Sequence, residues 1–231
     1  MQRNRLLLLA GAAAAAAIVV VALIVVLGGG GSSSSTATTA ASSPSPASTL
    51  AGIPQRADTL GKPGAPATVV VFEDPQCPFC RQWNVGTLPN VLTNYVRTGR
   101  INLVYRGIPI IGPNSVTGLR AIYAAGQQNK LWNLVEALYA RQGEENSDWI
   151  TDAVIRSAAD EAGADADAIL KASSSAGVAA QLRRSAQAAN RGGVRGTPTF
   201  VVQRPLAAPQ QLQLSSLDYS AFSSALESAL Q

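Results

Sequence analysis

Hydrophobic residues follow two different patterns along the chain, and the first is an uninterrupted run near the N-terminus. Residues 6–27 form 22 consecutive positions without a charge, rich in alanine, valine and leucine. A helix of that length rises about 33 Å, enough for a hydrocarbon layer of about 30 Å. The basic Arg3 and Arg5 lie in residues 1–5, before the run. The pattern predicts a single-pass anchor in the cell membrane, with residues 1–5 cytoplasmic and the following domain extracytoplasmic; a cleaved signal segment is the alternative.

Residues 28–55 separate this run from the rest of the chain. They are almost entirely glycine, serine, threonine, alanine and proline, and they carry no charge. Such a segment buries too little apolar surface to offset the entropy of ordering it. We therefore predict a disordered tether over 28–55 and a folded domain over 56–231.

The second pattern alternates short β-branched runs with helical periodicity. Ala67–Glu73 reads as a buried strand, and Ile101–Arg106 reads as another. Between them, Pro78–Thr98 has apolar residues at helical spacing, with Pro89 predicting a kink. A strand–helix–strand unit of this kind predicts a parallel pair of strands joined by a right-handed crossover.

The remainder is predicted to be a helical block followed by a small β-β-α unit. Residues 113–192 read as four or five helices, with Gly163 as the C-terminal cap of a helix that begins near Asp148. Thr199–Gln203 and, more weakly, Gln210–Leu214 read as strands, and a helix over residues 218–230 ends the chain. The order is β-α-β, an all-helical insertion, then β-β-α, which is an α/β fold.

The amino-acid composition excludes several kinds of partner, catalytic site and metal site. The chain has 18 Lys and Arg and 14 Asp and Glu, which gives a net charge of +4. Without Arg3 and Arg5, which precede the hydrophobic run, 16 basic and 14 acidic residues leave a net charge of +2. Because this charge is small, we expect no nucleic-acid partner. The chain has no histidine, which excludes Ser-His-Asp and Cys-His catalysis and HExxH zinc sites. Its two cysteines cannot close a four-ligand zinc site within one chain. We expect no metal and no cofactor.

Both cysteines lie in one motif, Cys77-Pro78-Phe79-Cys80, between a predicted strand and a predicted helix. Pro78 suits the first helical position, and Cys77 then lies where unpaired amides stabilise a thiolate. Cys80 is one helical turn away, at a distance that a disulfide accepts. We predict that Cys77 is the exposed attacking sulfur with a low pKa and that Cys80 is the shielded sulfur that resolves the mixed disulfide. A structural disulfide and two buried free cysteines are the alternatives.

Two motifs together resemble the DsbA-like thiol–disulfide oxidoreductases. They are FEDPQCPFC, Phe72–Cys80, and GVRGTPTFVV, Gly193–Val202; VYRGIPI, Val104–Ile110, is also similar. The resemblance implies a thioredoxin-like fold with a helical insertion. It also implies that Pro198 is cis beside the active-site sulfurs, and that the backbone of Thr197 pairs with an extended substrate.

The motif differs from that family at two positions. Many relatives carry a buried carboxylate six residues before the first cysteine, where this chain has Val71. Glu73, on the same strand face, could replace it in proton transfer, and Asp74 matches an acidic position common in relatives; a solvated strand end is the alternative for both. Phe79 stands where a strong oxidant of the family has histidine, and Arg81 could supply part of the missing positive charge or be an ordinary surface arginine.

These features predict an enzyme that exchanges its Cys77–Cys80 disulfide with cysteines of secreted or membrane proteins, acting as a disulfide donor. With no third cysteine in the chain, a separate membrane oxidase, or a reductant if the direction is reversed, must recycle it. Three alternatives stay open: a reductase or isomerase of the same fold, a non-catalytic peptide-binding module, and an iron–sulfur cluster shared between two chains.

Overall fold

The structure is a computed structural model that describes residues 49–231. The predicted anchor at 6–27 and most of the predicted tether lie outside the described residues. Within residues 49–231, no helix combines the length and the apolar character that crossing a membrane requires.

The described residues form one mixed sheet and two sets of helices. The strands are β1 (Gln55–Arg56), β2 (Thr59–Leu60), β3 (Ala67–Glu73), β4 (Ile101–Gly107), β5 (Thr199–Gln203) and β6 (Gln210–Gln211). The helices are α1 (Pro78–Gly86), α2 (Leu88–Val91), a π-helical turn at Leu92–Val96, α3 (Pro113–Gly126), α4 (Leu131–Ala140), α5 (Asp152–Ala162), α6 (Ala166–Ala172), α7 (Ala176–Arg191) and α8 (Tyr219–Leu230).

The sheet has the strand order β1-β2-β4-β3-β5-β6, so β3 is central. Strands β3 and β4 are parallel, with Val69 opposite Leu103, which confirms the predicted parallel pair. Strand β5 is antiparallel to β3 on its other side, with Val71 opposite Phe200. This β-α-β and β-β-α order with an inserted helical block confirms the thioredoxin-like α/β fold.

Both faces of β3 are buried, as its β-branched sequence predicts. Val71 belongs to the main core, where Trp83 of α1 packs 4.9 Å from Phe200 and Phe200 packs 5.1 Å from Phe222 of α8, measured between ring centroids. Val70 belongs to a smaller cluster on the opposite face, which includes residues of α7. Helices cover the sheet on both sides, so the end of β3 meets α1 inside the protein rather than at its surface.

The folded domain begins before residue 56, which corrects the predicted end of the tether. Leu50 and Ile53 are buried in the main core, and Gln55 begins β1. The antiparallel pair β1 and β2 was not predicted, because each strand has only two residues and no alternating pattern can be recognised over so short a length.

The predicted helix over Pro78–Thr98 is interrupted. Helix α1 ends at Gly86, Thr87 joins the segments, and α2 has Pro89 in its first turn. Proline has no N–H to bond the carbonyl four residues earlier, and its ring collides with that carbonyl. The chain therefore breaks the helix before Pro89 instead of bending it there.

The helical insertion contains five helices, from α3 to α7, as predicted. Gly163 has a φ of 65° and caps α5, which confirms its predicted role, although α5 begins at Asp152 rather than near Asp148. Strand β6 is shorter than the predicted Gln210–Leu214. The last helix begins as expected, because the side chain of Asp218 accepts a hydrogen bond from the N–H of Ala221 at 2.9 Å.

Candidate active site

The turn between β3 and α1 places Cys77 at the opening of the helix. Cys77 has extended backbone angles, and Pro78 occupies the first turn. The N–H of Cys77 donates to the carbonyl of Asp74 at 2.9 Å, which closes the turn. The first amides of α1 have no partner within the helix, so they are available to the sulfur.

Asp74 organises this turn, and it is not a solvated strand end. It is fully buried, and its carboxylate accepts the backbone N–H groups of Gln76 at 2.9 Å, Ile110 at 2.7 Å and Ile111 at 2.9 Å. Both oxygens are therefore occupied by main-chain donors. Asp74 joins the loop before Cys77 to the loop after β4, which is a structural role.

The helical insertion also supports the turn. The Gln76 amide donates to Ser115 Oγ of α3 at 2.8 Å and accepts from the N–H of Asn146 at 2.9 Å. Gln142, just after α4, donates to the carbonyl of Cys77 at 3.0 Å. Gln76 and Gln142 were not predicted as site residues. Their role depends on contacts more than 30 residues away in sequence, and no local pattern marks such contacts.

Cys77 lies against the loop that contains the cis-proline. The Thr197–Pro198 peptide bond is cis, as the resemblance implies. The Sγ of Cys77 is 3.3 Å from the carbonyl oxygen of Thr197 and donates to it as a thiol. Only 3% of the surface of Cys77 is exposed, so Cys77 is much more buried than we expected from the sequence. The loop that covers Cys77 is contributed by residues 120 positions later in the sequence.

The two cysteines differ sharply in acidity. The pKa of Cys77 is lowered from 9.0 to about 6, and the largest cause is a hydrogen bond with the Cys80 side chain. Burial acts in the opposite direction. The Thr197 side chain and the backbone N–H groups of Cys80 and Phe79 lower the pKa further. Burial, the hydrogen bond with Cys77 and the charge of Glu73 raise the pKa of Cys80 well above 9.0. The lowered pKa of Cys77 agrees in direction with the prediction. The main cause is different, because the neighbouring thiol contributes more than the helix amides.

Glu73 lies in the buried space behind the cysteines. The residue is completely buried, and its Oε1 accepts a hydrogen bond from Asn84 Nδ2 at 2.7 Å. Burial raises the pKa of Glu73 to about 8, with the charge of Cys77 acting in the same direction, while the Asn84 amide and the nearby Tyr139 hydroxyl lower it. Glu73 is therefore not a solvated strand end. At neutral pH it is mainly a protonated carboxylic acid, and its charge would raise the pKa of Cys80.

Asn84 is a third site residue that was not predicted, beside Gln76 and Gln142. It follows Cys80 by four positions and Cys77 by seven, so it lies on the same face of α1. A polar residue on the buried face of an amphipathic helix is a recognisable signal, since such groups are rarely buried without a partner.

The side chains of Phe79 and Arg81 both point to other surroundings than the Cys77 sulfur. The Phe79 ring is 60% exposed, and only the backbone N–H of this residue lowers the pKa of Cys77. Arg81 donates from Nε to the carbonyl of Tyr139 at 3.0 Å, so it joins α1 to α4. Of the two alternatives for Arg81, this contact favours a role other than placing a positive charge beside Cys77. Among residues 49–231, no three Cys, Asp or Glu side chains are grouped so that they could hold a metal ion.

Comparison with known proteins agrees with this geometry. A family model described as thioredoxin matches residues 55–225. The chain therefore belongs to the thioredoxin family. It is 31% identical over 155 residues to the probable disulfide bond formation protein D of Bacillus cereus, covering 65% of this chain and 72% of that protein.

Solved structures share the fold of this thioredoxin-family chain. Oxidised BdbD from Bacillus subtilis superposes with a TM-score of 0.65 at 20% identity, covering 77% of this chain and 97% of that one. Wolbachia pipientis α-DsbA1 gives 0.63 at 15% identity, covering 75% and 90%. The chain is a DsbA-like disulfide oxidoreductase, and its two cysteines are free in the structure.

Proposed function

We propose that this oxidoreductase donates the Cys77–Cys80 disulfide to cysteines of extracytoplasmic proteins. The observation that carries the proposal is the opposite shift in the pKa values of the two thiols, lowered to about 6 for Cys77 and raised for Cys80. A thiolate is stabilised only in the dithiol form of the enzyme. Stabilising that form favours giving the disulfide away, since the enzyme then ends in its preferred state.

The exchange proceeds in two displacements. A substrate thiolate attacks Cys77 Sγ, a new S–S bond forms between them, and the Cys77–Cys80 bond breaks with its electron pair on Cys80. A second substrate thiolate then attacks the substrate sulfur of the mixed disulfide and releases Cys77 as a thiolate. The substrate loses two electrons and gains a disulfide, and the enzyme disulfide becomes a dithiol.

Glu73 supplies the proton that the first displacement needs. The Cys80 sulfur is fully buried, so its thiolate is unfavourable and must be protonated as it leaves. Glu73 is buried beside it, has a pKa of about 8, and therefore holds a proton at neutral pH. It passes that proton to Cys80 in the donor direction and takes it back when the disulfide is restored.

Substrate binding uses the cis-proline loop. The carbonyl of Thr197 lies 3.3 Å from the Cys77 sulfur, and β5 begins two residues later. An extended substrate segment can pair with this backbone while its cysteine approaches Cys77. Pro198 and the exposed Phe79 ring lie beside that path.

We also propose that residues 6–27 anchor the enzyme in the cell membrane and that the residues between this anchor and the folded domain act as a tether. A membrane oxidase then restores the disulfide. These proposals rest on the uncharged run, the basic residues before it, and the absence of a third cysteine from the sequence.

Redox titration with glutathione, combined with a Cys80→Ala trap, tests the proposal. A donor gives a reduction potential above the thioredoxin value of about −270 mV, and Cys80→Ala accumulates mixed disulfides with extracytoplasmic proteins. Cys77→Ala in the same background must accumulate none. A potential at or below that of thioredoxin would reverse the direction and make the chain a reductase.

A further inference from the structure

Asn84 connects the buried acid to the resolving cysteine. Its Nδ2 donates to Oε1 of Glu73 at 2.7 Å and to the main-chain oxygen of Cys80 at 2.9 Å. Asn84 itself is only 4% exposed, so neither bond competes with bulk water. One amide nitrogen thus holds the carboxyl group and the backbone of the cysteine together.

These contacts decide which way the amide of Asn84 faces. Both partners are acceptors, and only the nitrogen of an amide can donate, so the Oδ1 atom must face away from them. Oδ1 of Asn84 and Oε2 of Glu73 have no hydrogen-bond partner among residues 49–231. The carboxyl group therefore has one oxygen held by Asn84 and one oxygen free.

We propose that Asn84 is a positioning residue that holds Oε1 of Glu73 and so leaves Oε2 as the atom that exchanges a proton with Cys80. The inference rests on the proposed proton-transfer role of Glu73. It adds a residue outside the Cys-Pro-Phe-Cys motif and assigns separate tasks to the two carboxyl oxygens.

The surroundings of Glu73 explain why a donor is needed there. Helix α1 presents the two thiols, Cys77 and Cys80, strand β4 presents Tyr105, and helix α4 presents Tyr139. Asp74 follows directly in the chain and is occupied by main-chain amides. None of these groups brings a positive charge to Glu73.

The Asn84 amide opposes the effect of burial on the carboxyl group. A hydrogen bond to a charged group contributes about 1.5–3 kcal/mol, which corresponds to about one to two pH units. Without Asn84, Glu73 would therefore keep its proton to higher pH and would act poorly as the base that restores the disulfide.

The step to measure is closure of the disulfide in the full-length protein. The Cys77 thiolate first attacks the S–S bond of dithiobis(nitrobenzoate), which forms the mixed disulfide with Cys77 and releases one thionitrobenzoate, and the released thionitrobenzoate is removed. Cys80 then attacks Cys77 Sγ, its proton passes to Glu73 Oε2, the new S–S bond forms, and thionitrobenzoate leaves with the electron pair of the broken bond. Its absorbance gives the rate of closure, followed across the neutral and alkaline range.

Asn84→Leu removes the donor and keeps much of the side-chain volume. We expect the pH midpoint of closure to move up by about one to two units and the rate at neutral pH to fall about 10- to 100-fold. Glu73→Gln should abolish the midpoint, and adding Asn84→Leu to it should have no further effect on the pH profile. Asn133→Leu is the matched control, because Asn133 of α4 is also buried and its Oδ1 accepts a hydrogen bond from Gln55 Nε2 at 2.6 Å.

The outcomes separate the two proposals. If Glu73→Gln removes the midpoint but Asn84→Leu leaves it in place, the positioning role of Asn84 is wrong and the proton-transfer role of Glu73 stands. If Glu73→Gln leaves the midpoint unchanged, both fail. Should Asn84→Leu fold poorly, Asn84→Ser, whose shorter side chain holds Glu73 less well, must raise the midpoint above that of the wild type, and a wild-type midpoint would overturn the inference.

Discussion

The acidity of Cys77 is the most direct test of the active-site geometry. We expect this thiol to titrate with a pKa of about 6 in the reduced protein, compared with 9.0 for an ordinary cysteine. At pH 7 about nine-tenths of the molecules then carry a thiolate, against about one in a hundred for the ordinary thiol. The pH dependence of alkylation by iodoacetamide, with the modified residue located by mass spectrometry, measures this directly.

The same shift sets a limit on the redox potential. A lowered pKa stabilises the folded dithiol above the folded pKa, and that contribution disappears as the pH falls through about 6. At pH 7 it amounts to at most about 1.4 kcal/mol, and water that reaches the sulfur screens part of it. For a two-electron couple this is at most about 30 mV in the oxidising direction. The pKa of Cys77 therefore favours disulfide donation modestly.

Two substitutions measure how much Cys80 and Thr197 each lower the pKa of Cys77. Cys80→Ala removes the largest contribution, so the pKa of Cys77 should rise by at least one unit but remain below 9.0. Thr197→Val removes a smaller contribution and should raise the pKa by less. Cys77→Ala serves as the control, because Cys80 is buried, has a raised pKa and should resist alkylation throughout this range.

Two results would refute this reasoning. A wild-type midpoint at the value of an ordinary thiol would show that the helix opening and the Cys80 side chain do not stabilise the thiolate. A midpoint near 6 that Cys80→Ala leaves unchanged would show that the neighbouring thiol is not the main cause. In that case the backbone amides would be responsible, as the sequence alone suggests.

Three further predictions concern charged residues. Glu73 has a raised pKa in the dithiol form, so its contribution to stability is present below pH 4.5 and lost as the pH rises through about 8. In that form, Glu73→Gln should be more stable to urea than the wild type above pH 8, by at most about 4–5 kcal/mol, and about equal below pH 4.5. Glu136→Gln should behave similarly in urea, because burial also raises the pKa of Glu136 to about 8, but it should leave disulfide closure unaltered, and a change in closure would contradict the separation of the two acids. Arg81→Ala should leave the alkylation midpoint of Cys77 in place, since the guanidinium bonds a carbonyl of α4, and a rise of one unit would show that its charge matters after all.

Local patterns were sufficient for the main elements of the fold. Seven consecutive residues from Ala67 to Glu73 form β3 as predicted, and Thr199–Gln203 form β5 with the predicted bounds. These segments are long and strongly β-branched, so their preference agrees with their burial. The two-residue strands β1 and β2 carry no such pattern, and their pairing depends on β4, more than 40 residues later.

Local sequence features were enough to assign the chemistry to two sulfurs at the start of a helix. No histidine is present, both cysteines are in one motif, and Pro78 marks the opening of α1. These are local facts, since a helix start and a three-residue spacing depend on neighbours in the chain.

The acidity of those sulfurs depends instead on how distant segments of the folded chain pack around them. The tertiary structure covers Cys77 with the loop of Thr197, surrounds Glu73 so completely that its pKa rises to about 8, and turns Asn84 toward both Glu73 and Cys80. Burial and hydrogen bonding set these properties, and both depend on which distant segments pack together. The spacing of residues along the chain places the reactive atoms, but their acidity is a property of the folded surroundings.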